Sequence, residues 1–344
     1  MNIHELEIIN FKDCQHCRLV FNPKINIIYN CASSTITDAI HKALSIIFYS
    51  NKIKDDNNKI VAAEFISGGT DTLHTETISA NDSNTLAIKT TEIIINKSYL
   101  DDATQLPPYK IIQDSGKKGM KTSEFKNAWR IFYDWHKNTN KLPLLAYFSS
   151  NHIHTIVYKR EHNKFENLRT FGYLNWNERK DSTSNWISRL EDNWYFAYQD
   201  VKNNHMNDAN ILLEENNTIF DCIIKFSKLL SNDFYKIDFV VNRGEIAFFT
   251  HNTKEILFFR NLPDIYLKMF SIVIDIAYRS YLLSEKTTVN YSGIVIFDDI
   301  FGNIDDIGDY DDKDKLLDEF THNLSIVFPN IQILAFTNKK FTSI

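Results

Sequence analysis

Residues 24–48 read KINIIYNCASSTITDAIHKALSIIF, and this stretch decides the fold of the chain. Its opening residues, 24–29, are an almost unbroken apolar run, which is typical of a strand buried on both faces of a sheet. Over residues 36–48 the apolar side chains recur at helical spacing, and Ser34 or Thr35 is placed to cap that helix. The stretch therefore predicts a strand, a short polar loop and a helix.

Outward from this stretch the sequence alternates between strand and helix patterns. Apolar alternation predicts strands over residues 3–11 and 17–21. Residues 59–99 predict an antiparallel side sheet with a strand over residues 86–95, and residues 142–148 predict a buried strand. Helical spacing covers residues 123–135 and 183–230, whereas residues 150–182 show no period and are interpreted as loop. The last third predicts a hairpin over residues 236–249 and a long apolar helix over residues 264–283. A strand (293–297), a helix (315–328) and a final strand (331–336) follow.

Composition excludes several classes of protein. A formal charge of -6 lacks the basic excess of a general nucleic-acid binder, so any DNA contact must be local or shared with a partner. The apolar runs are too short or too interrupted to span a bilayer, and the N-terminus does not resemble a signal peptide. We expect a cytoplasmic protein that does not bind a membrane. Four cysteines make no disulfide framework, and the Cys14–Cys17 pair lacks the two further ligands of a zinc site, which favours a plain turn.

Seven further stretches carry a resemblance to a known family. They are residues 3–12, 25–40, 142–148, 172–186, 262–279, 293–299 and 328–338. In this order they resemble the RecF/SMC/OLD-like branch of ABC-type ATPases, and more closely the single-chain ATPases related to the Septu and retron-associated defence systems. The resemblance implies an α/β P-loop NTPase fold: an ABC-ATPase-like head with a mixed central sheet, an antiparallel side sheet and a helical subdomain. It implies one head, residues 1–344, with an N-terminal lobe (1–150), a loop and helical insertion (151–235) and a C-terminal lobe (236–344).

The resemblance also assigns the candidate site. The assigned residues are Asn30, Cys31, Ala32, Ser33, Ser34 and Thr35 for the phosphate-binding loop, Asp264 for the signature position, Asp298 and Asp299 for the acidic strand end, and Asn338 for the switch position. A working loop wraps phosphates with backbone N–H groups and needs glycines and a lysine. This chain has no glycine before Gly68, and Ser33 aligns with the lysine. We therefore expect no cofactor, or weakly bound ATP and magnesium with Ser34 and Asp298 as the metal ligands.

The other motifs have changed as well. Pro263 and Ile265 stand where the signature offers serine and glycine, and Asn338 replaces a histidine and cannot take a proton. Asp299 is one methylene short of the glutamate that positions water. His152 stands where an arginine is expected.

These losses favour a pseudo-ATPase, a structural, sensing or regulatory subunit of a bacterial or prophage defence-like complex. Such a subunit would bind a protein partner, or a second copy, through the ATPase-head face. A divergent active ATPase that dimerises around ATP and magnesium is the first alternative. The second is a DNA-binding module that uses lysines of the clusters Lys117, Lys118 and Lys121 or Lys339 and Lys340.

Two other features are interpreted without a catalytic role. The acidic run over residues 305–314 departs from calcium-loop spacing and predicts a solvated loop or a partner-facing acidic surface. Trp186, Trp194 and their aromatic neighbours recur at helical spacing and are expected in the core, not on a base-stacking platform.

Overall fold

The computed structural model describes residues 1–29, 33–48, 90–114, 123–150, 169–174, 176, 183–230, 234–240, 243, 245–250, 256–304 and 312–337. Internal contacts divide the chain into two units. Unit 1 comprises Met1–Tyr147, Ser292–Asp299 and Ile331–Ile344, and unit 2 comprises Phe148–Tyr291 and Ile300–Asn330. The lobe boundaries expected near residues 150 and 235 stay a prediction.

The described residues form strands and helices that follow the predicted order, with three strands in addition. The strands are β1 (Asn2–Phe11), β2 (Cys14–Val20), β3 (Ile25–Tyr29), β4 (Thr90–Tyr99), β5 (Gln105–Leu106), β6 (Tyr109–Asp114), β7 (Leu144–Ser149), β8 (Phe234–Val240), β9 (Glu245–Thr250), β10 (Ile256–Phe258), β11 (Gly293–Asp298) and β12 (Ile331–Thr337). The helices are α1 (Ser33–Leu44), α2 (Ser123–Thr139), α3 (Thr183–Lys202), α4 (Met206–Leu230), α5 (Asp264–Leu283) and α6 (Lys313–Val327).

The central sheet has the strand order β3-β12-β11-β7. β12 runs parallel to both of its neighbours, so that Thr337 pairs with Tyr29 and Phe336 pairs with Asp298. Every residue of β11 and β12 is buried, which explains their continuous apolar sequences. β3 ends the strand order, and Asn26 is its single fully buried residue. The prediction that β3 is buried on both faces was therefore wrong.

The side sheet of unit 1 is antiparallel, as predicted. β1 lies between β2 and β4, and β5 and β6 both pair with β4. The buried amide of Gln332 on β12 joins β1 to the central sheet: Ile3 donates its N–H to Oε1 at 2.8 Å, and Nε2 donates to the Ile3 carbonyl at 2.6 Å. Nε2 also lies 2.8 Å from the Asn22 carbonyl. This buried side chain is therefore hydrogen-bonded at both ends of its amide.

Unit 2 contains the helices α3 to α6 and a small sheet of order β10-β9-β8. β8 and β9 pair antiparallel, which confirms the predicted hairpin. Within the stretch interpreted as loop, residues Arg169–Tyr173 form a 3₁₀ helix. Its Phe171 packs edge-on against Trp186 at 5.5 Å between ring centroids, and Trp186 stacks on Tyr278.

A buried polar cluster lies at the centre of unit 2. Asp275 and Arg279, one turn apart on α5, form an ion pair whose side chains are almost fully buried. Trp186 donates its indole N–H to Asp275 at 2.7 Å, and Arg279 donates to the Gly172 carbonyl at 2.9 Å. Buried charges are tolerated when they are paired and hydrogen-bonded in this way. Gly172 and Trp186, far from α5 in sequence, therefore meet Asp275 and Arg279 in one cluster.

The acidic run contributes a helix cap. Asp312 precedes α6, and its Oδ1 accepts the backbone N–H groups of Asp314 and Lys315 at 2.8 and 2.9 Å. An aspartate in this position satisfies two helix donors. Residues 305–311 of the run lie outside the described residues.

The predicted α/β class, antiparallel side sheet and helical subdomain are confirmed by these elements. In the part of the chain that the structure describes, we find no helix with the length and apolar character needed to cross a bilayer.

Gly293 provides a test of the central sheet. A Cβ atom at this position would lie 2.0 Å from the Leu144 carbonyl oxygen and 2.5 Å from the Leu144 nitrogen. Since these are backbone atoms of a neighbouring strand, Gly293→Ala should destabilise the fold by at least about 2 kcal/mol in urea unfolding. Ile294→Val, which shortens a buried side chain of the same strand without a clash, should cost about 1 kcal/mol. Equal losses for the two variants would contradict the close approach of β7 and β11.

Candidate functional site

The ends of three parallel strands define the candidate site in unit 1. β3, β12 and β11 run in the same direction, so their carboxyl ends lie at one edge of the sheet, where α/β proteins bind ligands. Phe336 on β12 pairs with Ile28 on one side and Asp298 on the other. With strands spaced about 4.8 Å apart, the backbones at Ile28 and Asp298 are separated by about 10 Å. The end of β3 and Asp298 are therefore close enough to contact one small ligand.

Helix α1 follows β3 at this edge. α1 begins at Ser33, so Ser34 and Thr35 lie in its first turn, and the prediction that one of them is the cap was wrong. The first turn of α1 contains no carboxylate. No acidic side chain of that turn therefore offsets the partial positive charge of the helix N-terminus. Ser34 is exposed, and its carbonyl accepts the Thr37 hydroxyl at 3.1 Å. Asn30, Cys31 and Ala32 lie outside the described residues.

The first carboxylate of α1 is paired. Asp38, in the second turn, forms an ion pair with Lys12, which lies in the turn between β1 and β2 and has a positive φ of 48°. Both side chains are more than a third exposed, so the pair contributes little to stability. The Lys12 ammonium does neutralise Asp38, the carboxylate nearest in sequence to the N-terminus of α1.

Asp298 is hydrogen-bonded inside the sheet. Its side chain is buried, and Oδ2 accepts the Tyr147 hydroxyl of β7 at 2.8 Å. The Tyr147 ring in turn meets His41 of α1 edge-on at 4.5 Å between centroids. Tyr147 thus connects the acidic strand end to α1. The sequence analysis missed both Tyr147 and His41; the signal was a hydroxyl inside the apolar strand 142–148.

Asp299 is held by its backbone. Its N–H donates to the Phe336 carbonyl at 2.8 Å, and its φ is 51°, in the left-handed region. Aspartate is one of the few residues that adopt this conformation without a large penalty. The switch position, Asn338, lies just beyond Thr337, the last described residue of β12, and outside the described residues.

The remaining predicted positions belong to unit 2 or lie outside the described residues. Asp264 is exposed and begins α5, with Pro263 before it and buried Ile265 after it. The two lysine clusters predicted for DNA, and His152, lie outside the described residues. Their roles stay predictions.

Cys14 and Cys17 lie on strand β2, so the predicted plain turn at this pair was wrong. Burial, followed by the neighbouring Cys17 thiol, raises the pKa of Cys14, and burial raises that of Cys17. Among the described residues, no group of three or more His, Cys, Asp or Glu side chains is arranged to hold a metal ion.

Comparison with known proteins yields structural likenesses. No family model matches the chain, and no curated protein matches it. The chain is similar to the SMC head bound to the C-winged helix domain of ScpA, with 10% identity and a TM-score of 0.48 over 98% of this chain and 90% of that one. It is also similar to the recombination mediator protein RecF with ATP, of the RecFOR pathway, with 13% identity and a TM-score of 0.39 over 99% and 93% of the two chains. At these values no residue role is transferred from either protein.

The link between Tyr147 and Asp298 can be measured with a double-mutant cycle. Tyr147→Phe should destabilise the protein by about 1–3 kcal/mol, because it leaves a buried carboxylate oxygen without its donor. In the double variant that combines Tyr147→Phe with Asp298→Ala, the loss of unfolding free energy should be at least about 1 kcal/mol smaller than the sum of the two single losses. The measurement is urea unfolding of the four proteins. Additive losses would mean that the hydrogen bond contributes nothing.

The backbone at Asp299 generates a second prediction. Asp299→Gly and Asp299→Ala both remove the side chain, so their difference reports the left-handed conformation alone. We expect the alanine variant to be less stable than the glycine variant by about 1 kcal/mol, because alanine is strained at this φ. Chemical unfolding of both variants measures this difference. An alanine variant as stable as the glycine variant would contradict the assigned conformation.

Proposed function

We propose that this chain is a degenerate ABC/RecF-type ATPase head that does not hydrolyse ATP and serves as a structural, sensing or regulatory subunit of a bacterial defence-like complex. One observation carries the proposal. The sheet order brings the end of β3 and Asp298 to one edge, yet the sequence at that edge, residues 25–41, contains neither glycine nor lysine. The scaffold of a nucleotide site is present without the residues that hold the phosphates.

The energetics of phosphate binding support this proposal. The N-terminus of α1 attracts an anion, but a helix terminus contributes about 0.3–1 kcal/mol at an exposed position. A phosphate-binding loop adds a glycine-rich cradle of N–H groups and a lysine charge, and these are the missing parts. We therefore expect a triphosphate to bind only weakly at this edge of the sheet.

The acidic strand end fits the same proposal. If magnesium were bound, Ser34 and Asp298 are the residues that would hold it, and the ion would supply positive charge to offset that of the phosphates. One oxygen of Asp298 already accepts a hydrogen bond from Tyr147, so this carboxylate has a structural role that needs no metal. The side chain of Asp299 is one methylene shorter than the glutamate that positions water in the family. The backbone of Asp299 is held in the left-handed region.

The context of the proposal comes from the sequence resemblance. The seven stretches resemble those of defence-associated ATPases, and this resemblance supports the proposed context. We therefore propose a protein partner, or a second copy, on the ATPase-head face. A divergent active ATPase is the rival reading, in which two heads close around ATP and magnesium.

Nucleotide linkage separates the two readings. A ligand present at about one hundred times its Kd would stabilise the folded state by about 2.7 kcal/mol. For the degenerate head we expect the melting temperature in millimolar ATP and magnesium to match that in ADP, or in sulfate of equal ionic strength, and phosphate release to stay at the level of buffer.

The decisive variant is Asp298→Ala, with Asp299→Gly as its matched control at the neighbouring position. A rise of several degrees that is specific for ATP and lost in Asp298→Ala, but kept in Asp299→Gly, would overturn the proposal in favour of the active ATPase.

A further inference from the structure

A second surface of unit 2 has the features of a binding site. We name residues 195–211 the helical tip; they comprise the end of α3, the connection 203–205 and the start of α4. Six large apolar side chains of the tip are 44–60% exposed: Tyr195, Phe196, Tyr198, Val201, Met206 and Ile211. An exposed apolar cluster of this kind marks an interaction surface, whereas isolated apolar residues do not.

The tip projects beyond the packed part of its helices. Ala197 is the last buried residue of α3, and Ala209 is the first buried residue of α4. Of the described residues from 198 to 208, none is buried. The first half of α3 differs, since Trp186 and Leu190 are fully buried. The predicted core location is therefore correct for Trp186 and wrong for Tyr195 and Phe196, which directly follow the partly buried Trp194.

The tip has the composition of a protein-recognition surface. Its aromatic side chains include Tyr195 and Tyr198, and its exposed polar residues are mostly asparagines, namely Asn203, Asn204, Asn207 and Asn210. Tyrosine supplies rigid contact area with few rotatable bonds, and asparagine supplies adaptable hydrogen bonds. Tyrosine is enriched in protein interfaces generally. Tyrosine and asparagine are enriched together in antibody paratopes, which bind other proteins.

The charged residues on and beside the helical tip indicate which kind of partner the tip would bind. Asp200, Asp208 and Glu214 lie on or beside the tip, against one lysine, Lys202. None of these three carboxylates forms an ion pair with a described residue. The surface is therefore apolar at its centre and acidic at its rim.

An acidic rim disfavours three occupants. Nucleic acid and anionic lipid are both negatively charged and would be repelled. A second copy of this chain, docked tip to tip, would bring like charges together, and such pairs oppose association. A positively charged protein segment with apolar anchors complements both parts of the surface.

We propose that the helical tip binds a partner protein through a basic amphipathic helix, whose apolar face packs on Tyr195, Tyr198 and Met206 and whose lysines or arginines lie beside the acidic rim. Binding of an amphipathic helix through spaced apolar anchors is a common mode of peptide recognition. The proposal does not rest on the proposed function of the ATPase-like head. It therefore stands whether or not the head binds ATP.

A pair of synthetic helices tests the proposal. The probe is a labelled leucine–lysine helix of about five turns with leucines along one face, and its control carries glutamate in place of every lysine. Fluorescence anisotropy with the full chain should show binding of the lysine helix, at least about ten-fold tighter than the glutamate helix. The affinity for the lysine helix should fall as salt is raised.

Variants locate the binding to the tip. Tyr195→Ser combined with Tyr198→Ser should weaken the lysine helix at least about ten-fold, and so should Asp200→Lys combined with Asp208→Lys. Ile131→Ser, at another exposed apolar residue on α2, is the matched control and should bind as the wild type does. All five positions are at least partly exposed, so the melting temperatures should stay close to that of the wild type.

Three results would overturn the proposal. The first is equal affinity for the two helices, or an affinity that the tip variants leave unchanged. The second is a dimer in sedimentation that Tyr195→Ser with Tyr198→Ser dissociates, which would make a second copy the occupant. The third is tip-dependent binding of phosphatidylserine vesicles, which would make the tip a membrane contact.

Discussion

The architecture of unit 1 depends on the pairing of β12 with strands on both of its sides. Its backbone groups bond to β3 on one side and to β11 on the other, and every one of its side chains is buried. Gln332, a polar residue in this apolar strand, extends the connection to β1 through the backbone of Ile3. A buried amide without these partners would destabilise the unit by about 1–3 kcal/mol, so the two sheets are fixed relative to each other by satisfied polar groups as well as by apolar packing.

That pairing explains why the candidate site can be recognised without its usual residues. The position of a ligand-binding edge is set by strand order and direction, which depend on long apolar segments. The chemistry of the edge is set by a few loop residues, which can change with little effect on the sheet. In this chain the strand order and direction bring β3, β12 and β11 to such an edge, and residues 25–41 contain neither glycine nor lysine. The buried carboxylate of Asp298 accepts a hydrogen bond from Tyr147 within the protein.

Sequence reasoning predicted the long elements and missed the short ones for physical reasons. α5 was predicted residue for residue, since its apolar pattern runs from Asp264 to Leu283 directly after a proline. β5 and β6 were not predicted because Pro107 and Pro108 separate them and indicate a loop. The Tyr147–Asp298 contact joins residues 151 positions apart, and no local pattern encodes such a pair. The left-handed backbone of Asp299 likewise depends on its bond to β12 and not on its neighbours in sequence.

The bond between Gln332 and Ile3 spans 329 positions of sequence, and this separation has a consequence for how the chain acquires its structure during synthesis. Chains are made from the N-terminus at about 5–20 residues per second, and contacts between distant segments form slowly. β1 and β3 are among the first strands to be made, yet they must wait for β12 before the central sheet can close. The larger segment of unit 2, Phe148–Tyr291, is complete before β11 exists. During that interval the apolar face of β3 is exposed to aggregation, so the nascent chain is a candidate client for chaperones that bind unpaired strands.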